Sequence, residues 1–562
     1  MSAEYDEFQP FFDRTDDLTC SAVGRAARFG NVEELERLLG EGSPWDVPDN
    51  RGWFPIHEAA CGGHTKCLGI LLKQGCRNFK NTKTYNGETP IFLASLHGHA
   101  HIMRSLLMND ADIMIQSNEL VSTLVAAVKG GNQECLKICI EQGMSPDSQD
   151  AGGWTALHEA AYVGDELSTE GLLGAGAKVD ITNTDGATPL FTAAQYGKVD
   201  CLKALIKHKA NLNFCTIDGA SALFIAAQEG NTNCVEALIE SGAMLDLATS
   251  DGGTAVHTAS ERGCLECLQL LIRKGACVNT KTVENISALH LAANSDNVEC
   301  LRELLDAGAE LEPEIKGTRE TPLVLAAQDG NYTCCKELLR RGSDPNFVYN
   351  ENGTLEKTVL MGAVEGDHIH CVKLLLAHGA DPNKATYASP LILAAKNFCQ
   401  ENLKLLIRGG ADVDFIDRGH NAALNIAVIK FRCGIMSMHK SKEAQLECIK
   451  VLLKAAATTE ILFQYPYGAL VNPAIPQKVA TPELLKLLLQ FEANNRDIRE
   501  FCECRRDDVR WGEVRRICNT PRRLTHLCRL SIRRRLGKRR VFKICDLPLP
   551  PVLKEFISYS QL

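Results

Sequence analysis

Apolar and polar positions along most of this chain follow a pattern that recurs about every 33 residues. Most copies open with Thr or Ser, then Pro or Ala, then apolar residues around a pair of alanines, as in "TALHEAAYVGD" and "TPLFTAAQYGK". A leucine-rich stretch that ends in glycine follows, as in "CLQLLIRKGA". This spacing predicts two short helices per copy, and polar stretches such as "NTDGAT" predict tight turns between copies.

The repeat covers most of the chain. A degenerate fourteenth copy begins near Gly468, after a 13-residue insertion at 432–444. We therefore predict an N-terminal extension (1–20), a repeat array (21–495), a linker (496–515) and a C-terminal domain (516–562). The thirteen clear copies begin at Ser21, Phe54, Thr89, Ser122, Thr155, Thr188, Ser221, Thr254, Ser287, Thr321, Thr358, Ser389 and Ala422.

The residue types at each position support the helical interpretation. Thr or Ser caps the exposed N–H groups at a helix start, and Pro suits the first helical position. The alanines allow close packing of neighbouring helices, and the final glycine adopts the left-handed conformation that ends the second helix. One copy cannot bury its own apolar face, so stability must come from stacking. The repeat resembles the ankyrin repeat, which implies an all-α fold, an ankyrin-repeat solenoid with short hairpin loops.

Composition limits the cellular setting. The chain has 562 residues, of which 45% are hydrophobic, yet no apolar run approaches the ~20 residues that cross a bilayer. The N-terminus, "MSAEYDEFQPFFD", is acidic and not typical of a secretion signal. The 24 cysteines are spread over a long chain, which favours reduced thiols over a disulfide scaffold. We expect a cytoplasmic protein, with the nucleus as the alternative location, and no membrane span.

Cysteines recur at one position of the repeat, which raises the question of a metal site. Stacked helices lie ~8–10 Å apart, too far for these thiols to share a zinc ion with bonds of ~2.3 Å. We predict that they are small buried apolar residues of the second helix. The eight cysteines that lie thirteen residues after the start of their copy are Cys67, Cys135, Cys201, Cys234, Cys267, Cys300, Cys334 and Cys371.

Histidine recurs near the start of the first helix, at His57, His158, His257 and His290. The ankyrin family uses histidine at this position for hydrogen bonds between repeats, and the resemblance implies the same here. No nucleotide-binding loop, nucleophile elbow or HExxH motif is present. We predict no catalytic residue, no metal site and no cofactor, and therefore a protein that is not an enzyme.

Tryptophans just before two repeat starts are candidates for binding a target protein. Trp53 in "DNRGWFPIHEAA" and Trp154 in "AGGWTALHEAA" each follow a turn glycine, a position that faces the concave binding side of ankyrin arrays. Trp45 adds to this aromatic N-terminal half. Because buried tryptophans often dominate interfaces, we predict these three residues as substrate-binding candidates. The alternative is that they pack against the neighbouring hairpin.

The C-terminal segment differs from the array in charge. Residues 499–543 contain sixteen basic and five acidic residues, a formal charge of +11 in a chain whose net charge is −9. Within it, "NTPRRLTHLCRLSIRRRL" predicts a short amphipathic helix whose narrow apolar face docks on a partner or on the array. Its apolar residues are Leu524, Leu527, Cys528 and Ile532.

A proline-rich ridge, "CDLPLPP", follows this helix. Proline holds the backbone extended, so the two leucines project from a preformed ridge. The helix and the ridge together resemble the SOCS box. This resemblance implies that Leu524, Leu527, Cys528 and Ile532 bind Elongin C, and that the ridge binds cullin 5 through Leu547, Pro548, Leu549 and Pro550. Two positions depart from the family pattern, Arg523 and Phe556, and we expect them to weaken contacts without removing them.

Ankyrin repeats followed by a SOCS box are the organisation of the ankyrin repeat and SOCS box family. The resemblance implies a substrate receptor of a cullin 5 RING ubiquitin ligase, with Elongin B and Elongin C, cullin 5 and its RING protein, and a target protein as partners. The alternative is an ankyrin scaffold or inhibitor that assembles no ligase. A third hypothesis is a nucleic-acid or nuclear-import role for "RRRLGKRR". It is disfavoured because the run lies where a docked helix needs a solvated face, and because few aromatic residues are interleaved with the arginines.

Overall fold

The computed structural model describes residues 20–74, 79–351, 355–384, 386, 388–418, 421–433, 441–455, 457, 482–490 and 516. The chain divides into two compact units, Met1–Cys277 and Val278–Leu562. The predicted linker except for one residue, the predicted C-terminal helix and the proline-rich ridge lie outside the described residues. No helix in the described ranges is both long and apolar enough to cross a membrane.

The described part of the first unit consists of eight helix pairs, one for each predicted copy from Ser21 to Thr254. The first helices of successive copies pack against one another, and each also packs against the second helix of its own copy. The helices are α1 (Ala22–Arg28), α2 (Val32–Gly40), α3 (Pro55–Cys61), α4 (Thr65–Lys73), α5 (Pro90–Leu96), α6 (Ala100–Met108), α7 (Thr123–Lys129), α8 (Gln133–Glu141), α9 (Ala156–Val163), α10 (Glu166–Gly174), α11 (Pro189–Gln195), α12 (Val199–Lys207), α13 (Ala222–Gln228), α14 (Thr232–Glu240), α15 (Ala255–Arg262) and α16 (Leu265–Arg273).

The second unit continues the same pattern with five helix pairs and one further helix among its described residues. A longer hairpin carries two antiparallel strands, with Val348 opposite Thr358. The elements are α17 (Ala288–Asn294), α18 (Val298–Asp306), α19 (Pro322–Asp329), α20 (Tyr332–Arg341), β1 (Val348–Glu351), β2 (Leu355–Thr358), α21 (Val359–Glu365), α22 (Ile369–Ala377), α23 (Pro390–Lys396), α24 (Gln400–Arg408), α25 (Ala423–Cys433), α26 (Lys442–Lys454) and α27 (Pro482–Gln490).

These helix pairs confirm the predicted all-α fold and the thirteen copies. The predicted insertion at 432–444 partly extends two helices, since α25 ends at Cys433 and α26 begins at Lys442. Helix α27 belongs to the degenerate fourteenth copy and packs against α26. Among the described hairpins, the one with β1 and β2 carries paired strands, and two others carry a single antiparallel bridge, Cys215 with Ser221 and Lys281 with Ser287.

Local chemistry explains where the helices begin and end. The Thr89 hydroxyl accepts a hydrogen bond from the Phe92 N–H at 3.3 Å, and Pro90 occupies the first helical position of α5. This arrangement satisfies a backbone donor that the helix leaves unpaired. After α10, Gly176 has φ +91°, a left-handed conformation that a residue with a Cβ adopts only with strain.

The core confirms the predicted role of the recurring cysteines. All eight are free thiols with at most 1% of their surface exposed. Burial raises the pKa of Cys135 and of Cys234 to about 11, so these thiols are neutral at physiological pH. A neutral thiol acts as a small apolar residue, and it is buried in each of the eight copies that carry it.

Histidines link each hairpin to the helix of the copy before it, as the resemblance implied. The Nε2 atoms of His57, His158 and His290 lie 3.0, 3.0 and 3.1 Å from backbone carbonyl oxygens of Thr82, Ala187 and Glu320 respectively. At the other side of the ring, Nδ1 accepts a hydrogen bond from the backbone N–H at the helix start. These histidines are structural, because both ring nitrogens are already used.

Candidate functional site

Two copies of the repeat share an extended motif that no other copy has. Repeat 2, which begins at Phe54, reads "DNRGWFPIHEAA", and repeat 5, which begins at Thr155, reads "DAGGWTALHEAA". Each combines tryptophan before the repeat start with glutamate in the first turn of the helix, Trp53 with Glu58 and Trp154 with Glu159. The two sites are therefore equivalent in sequence.

The hairpins that present the tryptophans have the same hydrogen bonds. In repeat 2, Asp49 Oδ1 accepts from the N–H groups of Arg51 and Trp53 at 2.9 and 2.8 Å. In repeat 5, Asp150 Oδ1 accepts from those of Gly152 and Trp154 at the same two distances. The glycines between them, Gly52 and Gly153, both have φ +75°. The backbone therefore places equivalent residues in equivalent positions.

In repeat 2 the buried glutamate is neutralised by two arginines. Glu58 Oε1 lies 2.6 Å from Nη2 of Arg28, which belongs to the preceding copy, and 2.6 Å from Nη2 of Arg51, which belongs to the hairpin. Arg28 Nε donates a further hydrogen bond to Glu58 Oε2 at 3.1 Å. Only 3% of Glu58 is exposed. A carboxylate this deeply buried requires such partners, because its desolvation is otherwise costly.

Arg51 also covers the tryptophan of its own hairpin. Its guanidinium carbon lies 3.9 Å from the centre of the Trp53 ring, within range for a cation–π contact. Trp53 packs in turn against the apolar cluster of Phe92, Leu93 and Ala126. Trp53 therefore contacts other residues of the chain on more than one side. These contacts favour packing against the neighbouring hairpin over target binding.

In repeat 5 the equivalent glutamate lacks an arginine. Glu159 is 4% exposed, and its Oε2 accepts a hydrogen bond from Trp154 Nε1 at 3.0 Å. Its other oxygen, Oε1, is buried and has no hydrogen-bond partner among the described residues. Gly152 stands at the position of Arg51, and Lys129 stands at the position of Arg28. No ion pair within 4 Å joins Lys129 to Glu159 in the described chain.

The electrostatic consequence appears in the ionisation of Glu159. Burial raises the pKa of Glu159 above the ordinary value. Lys129 and the hydrogen bond from Trp154 lower this pKa, but by less. Desolvation favours the neutral form of a carboxyl group, whereas a nearby cation favours the charged form. Repeat 5 therefore holds a carboxyl group whose charged form the fold leaves under-compensated.

Aromatic rings continue from Trp154 along the same unit. The ring of Trp154 lies 5.1 Å from His158 and 6.4 Å from Tyr162, and Tyr162 lies 4.6 Å from Tyr196 in an edge-to-face contact. Tyr196 is 44% exposed. This row offers an accessible aromatic surface beside the buried carboxyl group.

The third tryptophan candidate lies elsewhere. Trp45 makes an edge-to-face contact with Phe79 at 5.0 Å, and Phe79 contacts Phe54 at 5.2 Å. Trp45 and Trp53 thus flank one aromatic group in the first copies, whereas Trp154 forms a separate site. The predicted Elongin C and cullin contacts, from Leu524 to Ile532 and from Leu547 to Pro550, lie outside the described residues.

Sequence reasoning missed the two glutamates. The signal was present, since an arginine in repeat 2 is replaced by glycine in repeat 5 within an otherwise shared motif. Its meaning depended on the pairing of Glu58 with Arg28, thirty residues away in sequence. The described residues hold no group of three or more metal-binding side chains.

Comparison with protein families assigns both parts of the chain. The model "Ankyrin repeats (3 copies)" matches residues 23–117, 164–249, 242–315, 263–348, 323–417 and 360–462. The model "Ankyrin repeats (many copies)" matches residues 124–168, and the model "SOCS box" matches residues 520–558. The ankyrin matches therefore cover well over half of the chain.

Similar proteins with the same two parts are known. Ankyrin repeat and SOCS box protein 3 from Bos taurus is 39% identical over 161 residues, which are 28% of this chain and 31% of that protein. The human protein of the same name is 38% identical over 146 residues, 26% of this chain and 28% of its own length. The matched segments thus span less than a third of either relative.

Among solved structures, the human ASB11 ankyrin repeat domain aligns with 41% of this chain and all of its own, at 27% identity and a TM-score of 0.36. The family assignment depends instead on the sequence matches to the repeats and to the C-terminal box. The chain belongs to the ankyrin-repeat proteins and carries a SOCS box, the organisation of the ankyrin repeat and SOCS box family.

Proposed function

We propose that this chain is a substrate receptor of a cullin 5 RING ubiquitin ligase, located in the cytoplasm or the nucleus. The observation that carries the proposal is the SOCS box match at residues 520–558 behind an ankyrin array. The array holds a target protein, and the SOCS box docks to Elongin C, with Elongin B, and to cullin 5 with its RING protein. The chain performs no bond chemistry itself.

Such a receptor promotes ubiquitination by position. A target held on the array and a ubiquitin carrier held on the cullin react as if both were concentrated, because binding replaces a collision in solution with an encounter inside one complex. The target is then directed to degradation. The alternative function is a scaffold or inhibitor that binds through its ankyrin repeats without assembling a ligase, and copurification separates the two.

Replacing Leu547, Pro548, Leu549 and Pro550 with four alanines should remove cullin 5 and leave Elongin C bound. The prolines preorder the ridge, so little conformational entropy is lost when its leucines bind. Tandem purification of the full chain from cells, followed by quantitation of both partners and of target ubiquitination, checks this result. A variant that melts at a lower temperature yet keeps cullin 5 would show that the ridge packs on the array instead.

The double change Leu524→Pro with Cys528→Phe should abolish Elongin C binding. Proline breaks the predicted helix, and phenylalanine overfills a packed contact. Loss of apolar burial alone is worth ~1.5–3 kcal/mol per large side chain, or about tenfold or more in affinity. The binding constant for purified Elongin B and C is the measurement, and the four-alanine ridge variant is the matched control. Unchanged affinity would contradict the helix assignment.

A further inference from the structure

We propose that repeat 5 contains an open arginine slot, meaning one that holds no arginine of this chain. It is formed by Glu159 and Trp154 beside Gly152, and it binds an arginine side chain of the target protein. This inference rests on the proposed function in one respect, that the array holds a target. It names the chemical class that the site recognises, a guanidinium group. Repeat 2 of the same chain contains an equivalent slot with its arginine in place.

Repeat 2 is the internal template. Arg51 contacts the buried carboxylate of Glu58 at 2.6 Å while its guanidinium carbon lies 3.9 Å above the Trp53 ring. A planar guanidinium suits both contacts at once, since it donates in the plane to a carboxylate and stacks on an aromatic face. An ammonium group lacks this planar geometry. The template therefore indicates arginine over lysine.

Repeat 5 keeps the receiving groups of this template. Asp150 holds the hairpin through the same two hydrogen bonds that Asp49 makes, so Trp154 and Glu159 take the places of Trp53 and Glu58. The side chain that fills the slot in repeat 2 is absent, because residue 152 is glycine. Gly152 is exposed, and a Cβ added there would meet only Asp150 Oδ1, at an ordinary 3.5 Å. Residue 152 therefore contributes no side chain to the slot, and Trp154 is the group that covers Glu159.

The carboxylate in this slot lacks a partner that repeat 2 provides. Glu159 Oε1 is buried without a hydrogen-bond partner in the described chain, and its side chain is more than nine-tenths buried. Leaving such an acceptor unpaired costs free energy that a charged donor would restore. Lys129, the counterpart of Arg28, remains exposed and forms no ion pair with Glu159 among the described contacts.

Trp154 covers the slot. Its Nε1 donates to Glu159 Oε2, and its ring lies 5.1 Å from His158 at an angle of 30°. In the filled template, Trp53 lies 6.4 Å from His57 at 43° and makes way for Arg51. Entry of a guanidinium requires Trp154 to move toward that arrangement. Tyr162 and Tyr196 then offer aromatic surface to the residues that flank the arginine.

The test uses acetyl-arginine amide as the probe and the full chain in complex with Elongin B and C, with tryptophan indoles labelled with ¹⁵N. The chain has four tryptophans, so the Trp154 indole N–H signal can be assigned by substitution. We expect acetyl-arginine amide to shift the Trp154 signal with a dissociation constant of about 1 mM, as a single side chain provides. Acetyl-citrulline amide, its neutral isostere, should produce no shift.

Two variants and one matched control separate the slot from nonspecific binding. Glu159→Gln should weaken the arginine response about tenfold or more, because it removes a charge-assisted hydrogen bond. Gly152→Arg should fill the slot from within, abolish the response and raise the melting temperature. Gly152→Gln adds a shorter, polar side chain without the charge and should retain the response. If Gly152→Arg fails to fold, Glu159→Gln alone decides the outcome.

Several results would overturn the inference. These are an unmoved Trp154 signal in the wild-type protein, an equal response to acetyl-citrulline amide or acetyl-lysine amide, and an unchanged response in Glu159→Gln. A strong coupling between Lys129 and Glu159 in a double-mutant cycle would also overturn it, because the slot would then be filled by the chain. If the protein binds Elongin C and cullin 5 but does not respond to arginine, only this inference is refuted. If it responds to arginine but does not bind those partners, only the ligase function is refuted.

Discussion

Glu58→Gln is expected to lower the free energy of unfolding by about 3–5 kcal/mol, whereas Glu159→Gln, at the equivalent position, leaves it unchanged or raises it. Glu58 is a buried carboxylate that neutralises Arg28 and Arg51, both largely buried themselves. A neutral amide would leave two desolvated guanidinium groups without their counter-charge. Removing one partner from a buried ion pair costs more than the pair contributes, because the remaining charge stays in the interior.

For Glu159, unlike Glu58, the cost of desolvating the charged form exceeds the stabilisation by its partners. Burial raises its pKa, so the folded state binds a proton on this group more readily than the unfolded state does. A group of this kind stabilises the fold below its unfolded pKa, and that contribution is lost as the pH rises through the folded pKa. Wherever it is ionised, the Glu159 carboxylate is therefore a cost to the folded state. Glutamine removes the charge and keeps an oxygen that can accept from Trp154.

Equilibrium denaturation of the full chain in urea at neutral pH measures both effects. Glu134→Gln is a suitable control, because Glu134 forms an exposed ion pair with Arg104, with side chains 45% and 52% exposed. Exposed pairs contribute about 0–1 kcal/mol. Equal destabilisation by Glu58→Gln and Glu159→Gln would contradict the assignment of a filled and an open site.

Lowering the pH from 7.5 to 4 is expected to remove about 3 kcal/mol of stability for each of three buried histidines. Burial lowers the pKa of His57, His158 and His290 to about 4, against smaller raising effects of their backbone hydrogen bonds. In the unfolded chain histidine titrates near ~6.5. The contribution of each is fully present above the unfolded pKa and is lost as the pH falls toward the folded pKa.

Denaturant unfolding at several pH values between 7.5 and 4 measures this loss. His158→Gln should reduce stability at pH 7.5, because it breaks the hydrogen bond to the Ala187 carbonyl, and it should also flatten the dependence on pH. The comparison is between slopes, so carboxylates that titrate in both proteins cancel. Parallel curves for wild type and variant would contradict the depressed pKa of His158.

Much of the fold was predictable because its rules are local. Caps such as Thr89, the proline after it and the glycine that ends a second helix act within a few residues, so the sequence pattern locates thirteen helix pairs. The recurring cysteines were predictable for the same reason. Their fixed position within the copy places Cys67 and its equivalents on the buried side of the second helix.

The difference between repeat 2 and repeat 5 depended on contacts that cross between copies. "GW" and "HE" recur in both motifs, and the sequence alone predicts two equivalent tryptophans. Only the tertiary structure shows that Arg51 covers Trp53 and that Arg28, from the preceding copy, reaches Glu58. It also shows that Glu159 keeps an unpaired oxygen.

By itself, the sequence determined the repeat, its all-α fold and the SOCS box, since each is encoded by residue types at short, regular spacing. The tertiary structure decided which polar groups are compensated. Burial and charge pairing depend on neighbours about thirty residues away. Replacing two arginines, Arg28 by Lys129 and Arg51 by Gly152, alters the pairing without disturbing the helix. The physical reason is that hydrogen-bond caps act within a few residues. The desolvation cost of a carboxylate, in contrast, depends on all the groups that pack around it.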